Sequence, residues 1–119
     1  MLTEEDKKNI LNLVLSVISD ITDKKYQERI WIRREGPEID DFIEACCVFF
    51  SDCDPMLEKY RDFRITDSQY KILKNFRDRF KTFSNKYDFA EEFIDTPEWD
   101  EIREMAKEVL KAFNYKKIN

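Results

Sequence analysis

The chain has no histidine, one glycine, three prolines and three cysteines in 119 residues. Each shortage removes a class of answer. Without histidine there is no Cys/His zinc site, no Glu-x-x-His di-metal bundle and no imidazole base for a serine or cysteine nucleophile. Ser16, Ser19, Ser51, Ser68 and Ser84 therefore lack the usual partner for nucleophilic chemistry. The lone Gly36 leaves no phosphate-cradling loop. So little turn chemistry also argues against a sheet, which needs many tight turns, and for a few long helices. The cysteine count is odd and shows no framework or C-x-x-C spacing, so a reduced, cytosolic setting is expected. On a helix Cys46 and Cys47 diverge by about 100°, and Cys46 and Cys53 lie roughly 10.5 Å apart along the axis, too far for a disulfide. The longest apolar run, "ILNLVLSVI" at 10–18, is well short of the roughly 20 residues of a membrane span. Acids rather than bases precede it, so it does not read as a signal peptide.

What the chain does hold is apolar and charged in bulk. Ten Phe, five Tyr and two Trp can fill one core, and the length suits a single domain over 1–119. The net charge of −5 conceals an asymmetry. Residues 35–58 carry eight acids and no base, and residues 88–104 carry eight acids and one base, Arg103. Those blocks total −15, and the rest of the chain, with 20 bases and 10 acids, totals +10. Such blocks repel nucleic-acid phosphates and attract basic partners, or they pair with the bases of the same chain.

Helix signals run the length of the sequence. Thr3 before Glu4, Glu5 and Asp6 is a helix start, and Ile10, Leu11, Val14, Leu15, Val17, Ile18 and Ile21 follow it. Thr22 or Asp23 can cap a second helix through "KKYQERIWIRRE", which Gly36 and Pro37 would end. Thr66 and Gln69 form a capping box before Leu73, Phe76, Phe80, Phe83 and Tyr87. After a loop or helical turn at 88–95, Thr96 and Pro97 open a last helix along Trp99, Ile102, Ala106, Val109 and Phe113. Both seams recur at 3-4-3-4 spacing, so their helices should pack as neighbours. The expected fold is all-α, a single-domain bundle of five or six helices.

The stretch "GPEIDDFIEACCVFFSDCDP" at 36–55 holds every cysteine and six carboxylates. Wound as a helix, it puts Asp40, Asp41, Glu44, Ser51 and Asp52, with Val48 among them, in an arc of about 120°. Ile39, Phe42, Ile43, Ala45, Cys46, Cys47, Phe49, Phe50 and Cys53 fill the remainder, so the helix should be largely enclosed, with one acidic stripe outward. Asp54 and Pro55 should restart the chain as cap and first residue of a short helix, "MLEKYRDF". Cys46 and Cys53 then act as small hydrophobes, and Cys47, at the edge of the arc, is the thiol open to reagents. Solvated carboxylates on such a stripe keep their ordinary acidity and make a weak acid/base site, so catalysis is not expected, nor any cofactor or metal. The basic residues Lys71, Lys74, Arg77 and Lys81 read as the solvated back of an amphipathic helix, since its aromatics lie opposite and cannot stack on bases.

The segments "GPEIDDF", "FFSDCDP", "FIDTPEW" and "EMAKEVLKAFNY", spread over about 26–116, resemble a family of small α-helical bacterial immunity proteins encoded beside contact-dependent growth-inhibition toxins. The resemblance implies a cytoplasmic protein that binds and blocks a cognate toxin nuclease domain, often a tRNase. A small acidic domain without catalytic groups suits that role, because it can mimic phosphate and gain association rate by steering. The candidate contact residues are Glu38, Asp41, Glu44 and Asp52 in the first block, and Asp95, Glu98, Asp100, Glu101 and Glu104 in the second. Acids in the first turn of the last helix also suit its dipole. Trp31 is an added interface candidate, though core is its commoner place. The alternative is a helical adaptor or regulatory protein, homo-oligomeric or not, whose charges serve solubility.

Overall fold

A computed structural model describes residues 2–116 of the chain. Five α-helices follow in order: α1 Glu4–Thr22, α2 Lys24–Tyr26, α3 Phe42–Glu58, α4 Asp67–Ser84 and α5 Pro97–Ala112. No strand occurs among the described residues, so the fold is all-α. α1 packs on both α3 and α5, and α4 packs on α5. Their buried faces join in one hydrophobic cluster.

The helix starts obey the local chemistry. In α1 the Asp6 amide donates to Thr3 Oγ1 at 3.0 Å while the Thr3 amide donates to Asp6 Oδ2 at 3.1 Å. In α4 the same box is made by Thr66 and Gln69. Thr96 Oγ1 accepts from the Trp99 amide at the head of α5, with Pro97 in its first turn. Each cap satisfies amides that the first helical turn leaves without a partner.

Three expectations for the middle of the chain fail for identifiable reasons. First, "KKYQERIWIRRE" is not a regular helix. After α2 the chain widens into a π-turn over Gln27–Ile32, closed by an Arg33 amide that donates to the Glu28 carbonyl at 3.0 Å. The extra residue per turn lets Gln27, Ile30 and Trp31 all point inward. Gln27 is fully buried. Its Nε2 donates to the Asp20 and Ile21 carbonyls at 2.9 and 2.8 Å, and its Oε1 accepts from Trp99 Nε1 at 2.9 Å.

Second, Asp54 and Pro55 do not restart a helix: α3 runs through them to Glu58. Pro55 removes one amide donor, but it and Ser51, the residue four back, are exposed, so water can take the freed carbonyl. Asp54 is engaged elsewhere, accepting from Arg77 Nε at 2.8 Å and Nη2 at 2.9 Å. A 3-10 turn, Tyr60–Phe63, replaces the rest of "MLEKYRDF".

Third, α3 begins after Asp41, so Ile39 and Asp40 precede it rather than share its faces. Its buried face is narrow: Phe42, Ala45, Phe49, Cys53, Met56 and Leu57. Ile43, expected inside, is exposed; Cys47, expected at the edge of the arc, is exposed too, and Cys46 is half-buried.

The core is aromatic where α3, α4 and α5 meet. Phe42 meets Phe93, Phe80, Phe83 and Trp99 edge-on, with ring centroids 4.6 to 6.3 Å apart. Such offset and edge contacts add to the area term. Phe76 and Ile102 are both fully buried in the expected seams. Truncating either to alanine is expected to cost roughly 2–5 kcal/mol through the cavity it leaves. Chemical denaturation checks this; a midpoint equal to the parent's for both variants would show that the seams do not carry the core.

Candidate functional site

The acidic blocks differ in how the fold uses them. Every candidate of the second block has an ion-pair partner. Asp95 meets Lys24 Nζ at 3.0 Å. Glu98 accepts from Lys86 at 3.0 Å and from Arg79 at 3.3 Å, and Glu101 holds the other nitrogen of Arg79 at 2.9 Å. Asp100 pairs with Arg103 and Glu104 with Lys107, each within one turn of α5. Arg79 thus ties α4 to α5 through two carboxylates. The Lys86 hydrogen bond, reinforced by Arg79, holds the Glu98 carboxyl below its usual range.

In the first block the carboxylates divide. Asp54 is bidentate on Arg77, as above. Asp40 lies half-buried, and its Oδ2 accepts from Trp31 Nε1 at 2.8 Å and from the Tyr26 hydroxyl at 2.9 Å. Burial, then the Asp40 charge and hydrogen bond, pushes the Tyr26 phenol above its ordinary range. Glu38 lies 3.5 Å from Arg29 Nη1. Asp41 caps α3, accepting from the Glu44 amide at 2.7 Å. The Asp41, Glu44 and Asp52 carboxylates have no ion-pair partner among the described residues. Glu44 occupies the helix position at which Asp6 and Gln69 fold back on their caps in α1 and α4, but it closes no such box.

Glu38, Asp41 and Glu44 are brought together. With Asp40, Ile30, Arg34, Gly36 and Ile39 they surround an open depression of about 490 Å³. Asp52 is not part of it, lying about 16 Å further along α3 from Asp41. Trp31 is buried in the core against Phe42 and Trp99 and offers no surface anchor.

Sequence reasoning missed the apolar half of this face. Ile39 is 100% exposed and Ile43 46% exposed. Beside Ile43 a groove of about 340 Å³ runs between α3 and the end of α4, lined by Ile43, Cys46, Cys47, Phe50, Lys81 and Tyr87 among others. Lys81 Nζ sits 4.7 Å from the centre of the Phe50 ring. Ile43 lies more than about 100° from the centre of the Phe42–Ala45–Phe49–Cys53 stripe, an angle the sequence gives, but only the packed helices show that the buried arc stops short of it.

The basic residues of α4 are partly spent within the chain. Lys74 pairs with Asp78 at 2.7 Å, and Arg77 bridges Asp54 and Asp78. No group of three or more Cys, Asp, Glu or His side chains is placed to hold a metal among the described residues. No described helix is long and apolar enough to cross a membrane.

The three thiols are free, and their surroundings rank them. Burial pushes Cys46 and Cys53 up to about 12, so little thiolate forms at neutral pH. A colorimetric thiol reagent should titrate Cys47 at once, Cys46 slowly, and Cys53 only on unfolding. Fast reaction of all three in the native protein would contradict the packing of α3.

The Glu98 cluster sets an acid dependence. A carboxyl held low in the folded chain adds stability above its unfolded pKa, and that contribution is lost as pH falls through the folded value. The parent should therefore lose more melting temperature than Glu98→Gln between about pH 5 and pH 3. Parallel curves would mean the cluster is energetically idle.

No protein-family model, curated protein or solved structure matches this chain, so the reading of the site rests on its own geometry and chemistry.

Proposed function

We propose that the protein is a cytoplasmic immunity protein that neutralises a basic toxin nuclease domain through the start of α3, without catalysis of its own. One observation carries this reading. Asp41 and Glu44 lie without ionic partners among the described residues beside exposed Ile39 and Ile43, while the five candidate acids of the second block are already paired within the chain. Unpaired carboxylates beside an apolar strip can be desolvated favourably only by a partner that brings its own cations. The resemblance of "GPEIDDF" and the other three segments to growth-inhibition immunity proteins supports the partner class, a nuclease domain that is basic where it grips phosphate.

The second block contributes less to such an interface on this reading. A partner would have to displace Arg79 and Lys86 from Glu98 and Glu101 before using those acids, and the exchange gains little.

The test uses an inactivated nuclease domain of the toxin encoded beside the gene. Its association should slow as salt rises, since screening shortens the reach of charge to about 8 Å at physiological ionic strength. Glu44→Lys combined with Asp41→Asn, which keeps the cap, should slow association by about tenfold. Glu98→Lys with Glu101→Lys should lower the melting temperature and leave the association rate nearly unchanged. Association indifferent to salt and to the first pair, or absence of any binding, would sink the reading and return the adaptor alternative.

A further inference from the structure

We propose that the groove between α3 and the end of α4 is an anchor slot, and that its occupant is a basic protein segment. That segment would seat one large apolar side chain in the slot and place Lys or Arg over the acidic depression on the other side of α3. This rests on the reading above for the sign of the partner's charge, and it adds the apolar determinant and its spacing.

Three observations carry the inference. The first is exposure. Of the five large hydrophobic side chains that stand well exposed among the described residues, Ile39 and Ile43 flank the cap of α3, and Phe89 follows Asp88 at the far end of the groove. A monomer with a core this complete has no need to leave them there. The second is the character of the slot. At about 340 Å³ it lies at the small end of ligand pockets, suiting one side chain rather than a cofactor. Half-buried Cys46, Phe50 and Tyr87 line it, with exposed Ile43 and Cys47 beside them. The third is adjacency. Ile43 lines the slot, and the next residue, Glu44, lines the acidic depression with Asp41, Asp40 and Glu38. The two sites are therefore separated by about the width of one helix, roughly 10 Å. An extended segment covers that distance in about three residues.

Charge decides against a second copy of the chain as occupant. A two-fold pairing through this face would set Asp41, Glu44 and Asp88 of one protomer against the same carboxylates of the other, with Arg34 the one cation lining each depression to offset them. The cation at the slot, Lys81, is already placed over the Phe50 ring. A basic segment instead meets the acids with complementary charge and covers Ile39 and Ile43 at the same time.

The experiment pans a displayed library of random dodecapeptides against the full chain and measures the selected peptides on three proteins. These are the parent, Ile43→Ser/Cys47→Ser and Glu44→Lys; all three altered residues are exposed, so the variants should melt close to the parent. Selected peptides are expected to carry an aromatic residue or leucine with Lys or Arg about three positions away. They should bind each variant about tenfold or more weakly, the effect of losing one anchoring contact. Basic peptides that bind Ile43→Ser/Cys47→Ser as tightly as the parent would overturn the slot and leave the acidic interface standing. Peptides that depend on Ile43 but carry no Lys or Arg would overturn the basic occupant, and the reading it rests on. An enrichment-free selection overturns the slot as a peptide site. Sedimentation that shows a dimer dissolved by Ile43→Ser/Cys47→Ser would assign the face to a second copy instead.

Discussion

The amide of Gln27 is the joint on which the arrangement depends. It is the one fully buried polar side chain among the described residues, and it partners the Ile21 carbonyl and the Trp99 indole N–H as well as the Asp20 carbonyl, which also accepts from the Asp23 amide at 3.1 Å. It caps the Asp20 and Ile21 carbonyls at the end of α1 and accepts the indole N–H of Trp99 from α5. A buried amide costs free energy unless each polar atom finds a partner, and an apolar replacement here would take the partner from the Ile21 carbonyl and the indole N–H. The π-turn is the geometry that brings Gln27 to that point while keeping Ile30 and Trp31 inside. Trp31 in turn donates to Asp40, and Asp40 immediately precedes the cap of α3. The position of the acidic face thus follows, bond by bond, from a satisfied amide in the core.

Charge performs two different tasks in this molecule. In α4 and α5 it cross-links. Arg79, Lys86, Glu98 and Glu101 make a network across two helices, and networks are the form in which surface ion pairs contribute measurably. At the start of α3 charge is left uncompensated, which costs the monomer some self-repulsion. The net charge of the chain does not separate these tasks, because both blocks have nearly the same composition.

Much of the fold was legible from local rules. Thr3 with Asp6, Thr66 with Gln69, and Thr96 with Pro97 mark helix starts through bonds made within four residues, so no tertiary knowledge is needed. The seams of α4 and α5 were legible because their residues repeat at the helical period; four of the five in each are buried, while Tyr87, beyond the end of α4, and Phe113, at the cap of α5, are half-buried. The π-turn was not legible, since part of its reason is Trp99 on α5, 72 residues along the chain from Gln27. Pro55 inside α3 was misread because a proline's cost depends on whether water reaches the carbonyl it abandons. Ile43 was misplaced because periodicity gives the angle between side chains, not how wide an arc the neighbouring helices cover. The ion pairs that reach the second block from other elements were equally hidden: a carboxylate's sequence neighbours do not reveal that Arg79 arrives from another helix.

The only glycine of the chain has a consequence for recognition. Gly36 sits at φ +108°, and a Cβ there would come within 2.6 Å of Arg29 Nη1. Glycine is usually associated with loose hinges, but here the sharp turn lets the guanidinium settle over the backbone and bond the Glu35 carbonyl and Glu38. The Glu35 amide returns to the Arg29 carbonyl at 2.8 Å, and Asp40 is fastened to Trp31 and Tyr26. The segment that carries the acids is therefore strapped down at both ends before any partner arrives. If this is the docking surface proposed above, one so preorganised would lose little entropy on docking and would discriminate by shape as much as by charge. It would favour one partner contour and resist others of equal basicity, so orthogonality between related pairs would be set by the course of this strap rather than by the number of carboxylates on it.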